Sequence, residues 1–237
     1  MKHHIGRIAV VLATASLSTA AGAAAVQTIS LGNTNPGFPS GSTPAAPTVG
    51  AAQGGQPSPF DTSYGSDILG FIGDFSQTWT HSFAAIVDTI VSATLTIGIY
   101  DHDSAASGSQ LANFTIDGVS FTTELDTLFE AGGGSGEGEY NEYTVTLGAA
   151  DFANLADGSV TIALALQGPG LVFDLFQNAI TETSNNGASL LFSSLVIETQ
   201  EVTPPPPPPT VPEPGSLALL GAGLAALAAR HRSTRRA

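Results

Sequence analysis

Between residues 8 and 229 the chain contains no lysine or arginine, whereas all 20 of its aspartates and glutamates lie within this interval. No carboxylate there can pair with a lysine or arginine of the same interval, and the chain has no cysteine for a disulfide. Stability must therefore come from a hydrophobic core, and repulsion between carboxylates must be relieved by hydration, spacing or bound cations. The same charge pattern argues against nucleic acid as a partner, because phosphate binding needs clustered basic side chains.

Residues 89–100 alternate between apolar and polar side chains, which is the period of a half-buried β-strand. Asp117-Gly118 lies between two further strand-like stretches and is typical of a hairpin turn. Several short antiparallel strands within residues 66–201 predict an all-β ectodomain, a jelly-roll-like β-sandwich. The other stretches predicted as strands are residues 77–83, 111–116, 119–123, 142–147, 159–166 and 188–198.

The first 25 residues have the three-part layout of a secretory signal peptide, with a basic start, an apolar stretch and small residues at the end. Signal peptidase is predicted to cleave after Ala25, and cleavage after Ala23 also fits the pattern. Residues 26–65 are rich in Gly, Pro, Ser and Ala and are predicted to be a flexible lead-in, with an early strand over residues 26–31.

The C-terminal part has three consecutive features. Residues 202–210 contain six consecutive prolines and are predicted to form a stiff polyproline II spacer. Residues 217–229 are apolar, but a helix of this length, at about 1.5 Å per residue, is shorter than the roughly 30 Å hydrocarbon core of a bilayer. When residues 211–216 are included, the length of the segment approaches that of a single transmembrane helix. The positive-inside rule keeps its arginine cluster in the cytoplasm and the domain on the exported side. This cluster comprises Arg230, Arg232, Arg235 and Arg236.

The order of a Val211-Pro212-Glu213-Pro214 motif, a short apolar helix and an arginine-rich end resembles the PEP-CTERM sorting signal of exported bacterial proteins. The resemblance covers residues 211–237. It implies that an exosortase, a membrane-embedded transpeptidase-like enzyme, recognises Pro212, Glu213 and Pro214 and cleaves nearby. It also implies transient single-pass anchoring, followed by release or attachment at the surface of a bacterium that makes exopolysaccharide. A permanent C-terminal membrane anchor is the alternative.

Asp101 and Asp103 follow the strand with the clearest alternation. Because they are two residues apart, they can direct both carboxylates to the same side, where Asp117 or Gln110, together with loop carbonyls, can complete an oxygen shell for Ca²⁺. Ala105 and Ala106 stand where an EF-hand needs a ligand and a glycine, which excludes that motif. The alternative is a solvated acidic turn in which Asp101 caps backbone amides.

Two aromatic side chains, Trp79 and Tyr100, can stack on sugar rings, although a lone tryptophan also suits a core. They support a calcium-dependent carbohydrate-binding module as one alternative function. A secreted hydrolase is a second alternative, with His81 or Glu142 as candidates, but the chain has no G-x-S-x-G motif. The leading interpretation is a non-enzymatic, exported surface or extracellular-matrix protein with a structural or adhesive role in exopolysaccharide.

Overall fold

The computed structural model describes residues 24–67, 73–132, 137–202 and 220–225. Strands predominate in the first three of these ranges. The elements are β1 (Ala24–Gly32), α1 (Ala46–Gln53), β2 (Ser76–Ser82), β3 (Thr89–Tyr100), β4 (Leu111–Ile116), β5 (Val119–Ser120), α2 (Thr122–Gly132), β6 (Tyr140–Thr146), α3 (Phe152–Leu155), β7 (Ser159–Leu166), β8 (Gly170–Asp174), β9 (Ala179–Thr183) and β10 (Ser189–Gln200).

The strands form two four-stranded sheets and one hairpin. The first sheet has the order β1-β10-β3-β6, the second has the order β2-β7-β4-β5, and β8 pairs with β9. All of these pairs are antiparallel. The all-β prediction is therefore confirmed.

Alternation along the strands produces the core. In β3, Leu95 and Ile97 are buried while Thr96 between them is only half-buried, as a strand with one face in the core requires. Apolar side chains from both four-stranded sheets belong to one hydrophobic cluster. Its members include Ala93, Leu95, Ile97 and Ile99 of β3, Leu195 and Ile197 of β10, Phe114 and Ile116 of β4, and Val160, Ile162 and Leu164 of β7.

The Asp117-Gly118 turn is confirmed, and it joins β4 to β5. Both residues have positive φ angles, 49° and 75°, which suits a two-residue hairpin with the right-handed twist of its strands. The strand predicted over residues 119–123, however, ends at Ser120, and α2 begins at Thr122. This helix packs against β4 and β6, with Leu125 and Phe129 buried on one face.

Residues 26–65 contain more structure than the flexible lead-in predicted for them. β1 pairs with β10 along its whole length, from Ala24 opposite Gln200 to Gly32 opposite Phe192. Val49 of α1 lies in a second, smaller apolar cluster with Tyr140, Leu191 and Phe192, and Phe60 is buried in the main core. Val49 and Phe60 are isolated apolar residues and not part of a periodic pattern, so the sequence did not indicate their burial.

The described residues up to 202 belong to one compact unit, and residues 220–225 belong to a second. In the second unit, residues 220–225 are helical. Within the described part of the chain, no helix combines the length and the apolar composition needed to cross a membrane. The predicted signal peptide up to residue 23, residues 203–210 of the spacer, the residues of the Val211–Pro214 motif and the arginine cluster lie outside the described residues.

Candidate functional site

The candidate site lies at the end of β3, the strand whose neighbours are β10 and β6. Both neighbours are antiparallel to β3, so they begin where β3 ends: Tyr100 is opposite Ser189 of β10 and Tyr140 of β6. The residues just after β3 therefore meet the loops that lead into both neighbouring strands. An isolated bridge between Tyr64 and Ala188 brings a fourth segment to the same place.

Three aspartates converge there, and we refer to Asp67, Asp101 and Asp103 as the aspartate cluster. One carboxylate oxygen from each lies within 4.8 Å of the others. Asp101 and Asp103 both have left-handed backbone angles, with φ of 64° and 55°, a conformation that aspartate tolerates better than most residues.

Each carboxylate of the cluster accepts a backbone hydrogen bond from a different segment. The Gly187 N–H donates to Asp67, the Gly138 N–H donates to Asp101 Oδ1 at 2.6 Å, and the Leu171 N–H donates to Asp103 Oδ2 at 2.7 Å. The cluster thereby connects the loops before β6 and β10 and the strand β8 to the end of β3. Hydrogen bonds from peptide groups hold the carboxylates in place without neutralising their charge.

Burial dominates the electrostatics of the aspartate cluster. It is the main reason that the pKa of Asp67 is raised to about 7, and the charge of Asp101 acts in the same direction. Burial, with a contribution from Glu137, raises the pKa of Asp101 to about 6. Burial and the charge of Asp101 raise the pKa of Asp103 to about 8. Placing three carboxylates together is thus unfavourable unless protons or a cation compensate.

A cavity of about 180 Å³ opens beside the cluster. Asp67, Asp101 and Glu137 line it, together with small residues such as Ser63 and Gly187. The charged side chains that line this cavity are all carboxyl groups, and no lysine or arginine occurs anywhere in the described ranges. Such an arrangement can bind a hard cation or share protons between its carboxyl groups.

Of the three predicted calcium ligands, the structure brings together Asp101 and Asp103 and separates Asp117 from them. Asp117 follows the far end of β4, where its Oδ1 accepts a hydrogen bond from the Thr161 N–H at 2.7 Å. The near end of β4 pairs Leu111 with Leu166, close to β8. Six strand residues at about 3.3 Å each separate the two ends, so Asp117 serves the hairpin and not the cluster.

The residue between the two clustered aspartates points into the core. His102 is buried, and its Nε2 lies 2.7 Å from the Tyr143 hydroxyl. Its ring also contacts Phe129, with centroids 4.5 Å apart. Burial lowers the pKa of His102 to about 3, so the imidazole is neutral and packs as an uncharged ring.

The structure places the predicted carbohydrate residues where they offer little ring surface. Trp79 is only 5% exposed and packs edge-on against Phe60, with ring centroids 6.0 Å apart. Its faces are thus occupied by the core and cannot stack on a sugar. Tyr100 is half-buried, and burial is the main reason that its pKa is raised to about 12.

His81, a candidate for a hydrolase, also lies in the interior. Its Nε2 is 2.9 Å from the Ser193 hydroxyl, and the side chain is fully buried. Burial lowers its pKa to about 4. Glu142 instead accepts a hydrogen bond from the Tyr140 hydroxyl at 2.8 Å. A general base must reach the substrate proton, and a fully enclosed His81 does not.

The C-terminal end connects the chain to known proteins. Residues 210–233 match the PEP-CTERM protein-sorting motif. The chain carries a PEP-CTERM sorting signal. The resemblance predicted from the Val-Pro-Glu-Pro motif is confirmed, and the signal implies export and processing by exosortase. Comparison with curated proteins and with solved structures gives no match.

One member of the aspartate cluster in this PEP-CTERM protein was missed by sequence reasoning. Asp67 lies 34 positions before Asp101 and follows no strand, so no local pattern connects it to the other two aspartates. Its position depends on the Tyr64–Ala188 bridge and on the hydrogen bond from Gly187. The only sequence signal that bears on it is the general one, the absence of basic partners for any carboxylate of the domain.

Proposed function

We propose that this PEP-CTERM protein is a surface or extracellular-matrix protein with a structural or adhesive role in exopolysaccharide. The single observation that carries the proposal is the match of residues 210–233 to the sorting motif. The motif follows a β-rich unit whose last strand ends at Gln200. We also infer that the two sheets of this unit, which share one core, pack as a jelly-roll-like β-sandwich.

A role without catalysis is supported by the burial of the histidines and by the charge of the exposed side chains. The two histidines among the described residues, His81 and His102, are both buried and hydrogen-bonded to hydroxyl groups. The described residues up to 202 include many carboxylates but no lysine or arginine, which favours solubility in a hydrated matrix. Such a surface repels an acidic polysaccharide directly, so adhesion to one must be mediated by divalent cations.

Processing can be tested by mass spectrometry of the chain produced in a bacterium that has an exosortase. Cleavage near Pro212-Glu213-Pro214 should remove the arginine-rich end, and Glu213→Ala should leave the uncut chain in the membrane fraction. Pro206→Ala, in the proline run, is a matched control that alters the spacer but not the motif. An intact C-terminus in the wild-type chain at the cell surface would refute processing.

Adhesion can be tested separately, with alginate as an acidic polysaccharide and dextran as a neutral one. Retention on alginate should require millimolar Ca²⁺ and disappear in EDTA, because like charges repel once the cation is removed. Retention on dextran should be absent under both conditions. Equal retention on both polymers in EDTA would contradict a cation-mediated mechanism and would favour direct sugar recognition.

A further inference from the structure

We propose that Asp67, Asp101 and Asp103 form a Ca²⁺-binding site that connects the end of β3 to the segments around it. The site differs from the one the sequence predicted, because Asp67 replaces Asp117 as the third carboxylate. One oxygen from each aspartate lies within 4.8 Å of the others, a spacing that lets a single cation contact all three. Ca²⁺ binds oxygen ligands at about 2.3–2.6 Å, so two ligands of one ion are at most ~5 Å apart.

Buried oxygen atoms without hydrogen-bond partners provide a second observation that points to a ligand. Asp103 is 3% exposed, and its Oδ1 has no hydrogen-bond partner within the described residues, although Oδ2 accepts the Leu171 N–H. Leaving a buried carboxylate oxygen unpaired is costly, and the carboxyl groups of Asp67 and Asp101 lie close to that of Asp103. A cation satisfies this oxygen, whereas the neighbouring aspartates, when ionised, cannot.

Asn186 lies beside the cluster and supplies another oxygen of this kind. Its Nδ2 donates to the carbonyl of His102, between Asp101 and Asp103, at 3.0 Å. The following residue, Gly187, donates its N–H to Asp67. The Asn186 side chain is fully buried, and its Oδ1 has no hydrogen-bond partner within the described part of the chain. Amide oxygens are common ligands of Ca²⁺.

The ligand set favours Ca²⁺ over Mg²⁺. Ca²⁺ accepts six to eight oxygens in a flexible geometry, which suits several carboxylates supplemented by water from the adjoining cavity. Mg²⁺ requires a near-ideal octahedron, keeps several waters and is usually bound through only one or two carboxylates. Glu137 also lines the cavity and adds a further carboxyl group to it.

Bound Ca²⁺ would hold together segments that are distant in the sequence. The cluster joins Asp67 to the end of β3, and its hydrogen bonds reach the loops before β6 and β10. An extracellular module of this type has an affinity of about 10⁻⁴–10⁻³ M. Because the sorting signal implies export, the site meets such calcium concentrations outside the cell, where filling it stabilises the folded domain.

The test uses the full-length chain, stripped with EDTA and titrated with CaCl₂ by calorimetry. We expect one saturable site and a rise in Tm of about 3–6 °C at a Ca²⁺ concentration near ten times Kd. Tb³⁺ should bind in the same place and emit by energy transfer from Tyr100, which directly precedes Asp101. Excess Ca²⁺ should abolish that emission, and Mg²⁺ at the same concentration should do so much less.

Asp103→Asn and Asp67→Asn should each weaken Ca²⁺ binding at least tenfold. The asparagine retains an oxygen that can accept the backbone N–H, so the fold is expected to remain, and circular dichroism in EDTA verifies it. Glu130→Gln, on the exposed face of α2, removes one charge elsewhere and should leave the affinity unchanged. Equal Ca²⁺ affinities in the wild-type chain and its three variants, or no saturable binding by the wild-type chain, would overturn the proposal. The carboxyl groups of the cluster would then only share protons.

Discussion

Replacing Phe60 by alanine tests whether the segment between β1 and β2 belongs to the folded unit. Phe60 is 1% exposed in the main core, where its ring packs edge-on against Trp79 of β2. A Cβ built on Gly32, the last residue of β1, would lie 2.8 Å from the Phe60 ring. The ring therefore fills the space between the end of β1 and β2.

The expected loss in the free energy of unfolding follows from this burial. Deleting a buried phenylalanine side chain costs about 3–5 kcal/mol, part of which comes from the cavity that remains. For a domain of about 150–250 residues, each kcal/mol lowers Tm by roughly 2–4 °C, so Phe60→Ala should lower Tm by about 6–20 °C. This is a large fraction of the stability of an ordinary domain.

The assay is equilibrium unfolding followed by fluorescence. Trp79 is the only tryptophan of the chain and contacts Phe60 directly, so its emission reports on this part of the core. Phe176→Ala is the matched control, because Phe176 lies in the β8–β9 connection and is 102% exposed. A change below about 1 kcal/mol in Phe60→Ala, equal to that of the control, would show that the segment does not pack on the domain.

Two other predictions concern the charge and the packing of the domain. In EDTA, the raised pKa values of the clustered carboxyl groups, about 7, 6 and 8 against an ordinary 3.8, mean that the folded state holds protons that the unfolded chain releases. Their stabilising contribution is complete below pH 4, falls by about 1.4 kcal/mol per pH unit for each proton as the pH rises from about 4 to the folded-state pKa values of about 6 to 8, and is absent above them. Tm in EDTA should therefore fall from pH 5 to pH 8. A flat or rising Tm over this range would contradict that assignment. Gly98→Ala in β3 would place a Cβ against the Phe192 ring and should lower the free energy of unfolding, measured by chemical denaturation, by about 1–3 kcal/mol. The control is Gly50→Ala in α1, where a Cβ meets nothing within 4 Å, and this variant should lose no stability. Equal stability of the two variants would argue against close packing of Phe192 on β3.

The strands β3, β4 and β7 could be predicted because buried positions recur along each of them. Residues 89–100, 111–116 and 159–166 correspond to β3, β4 and β7 without any difference in their bounds. In β3 and β7 the apolar and polar positions alternate, and the burial of side chains follows the same period. The strands β8 and β9 were not predicted, because they form a separate hairpin with little burial and no alternating contrast.

The helix α2 escaped prediction for a different reason. The residues after Asp117-Gly118 continue with Val119, Ser120 and Phe121, which read as a returning strand. The spacing of Leu125, Leu128 and Phe129 indicates a helix once the chain has left the hairpin at residue 121. The local spacing of apolar residues therefore indicated the helix, but the Asp117-Gly118 turn favoured a longer returning strand and so a wrong end for that strand.

For the candidate site, the sequence indicated two residues of three. Asp101 and Asp103 are close along the chain, and the end of a strand places both at one edge of the sheet. Which distant residue joins them depends on strand order, because β10 and β6 both begin beside the end of β3. Asp117 was the next acidic residue after Asp103 along the chain, but the register of β4 carries it to the opposite end of its strand.

The absence of basic side chains connects the charge pattern of the sequence to the behaviour expected at this cluster. In most domains a buried carboxylate is neutralised by a lysine or arginine, and that route is closed throughout residues 8–229. Only protons and metal ions remain, and both act on the same oxygens, so they must compete. Ca²⁺ should therefore bind more tightly as the pH rises from 6 to 8, and the loss of stability expected in EDTA over this range should disappear in saturating Ca²⁺. A calcium affinity that does not change with pH would show that Ca²⁺ does not bind to these aspartates.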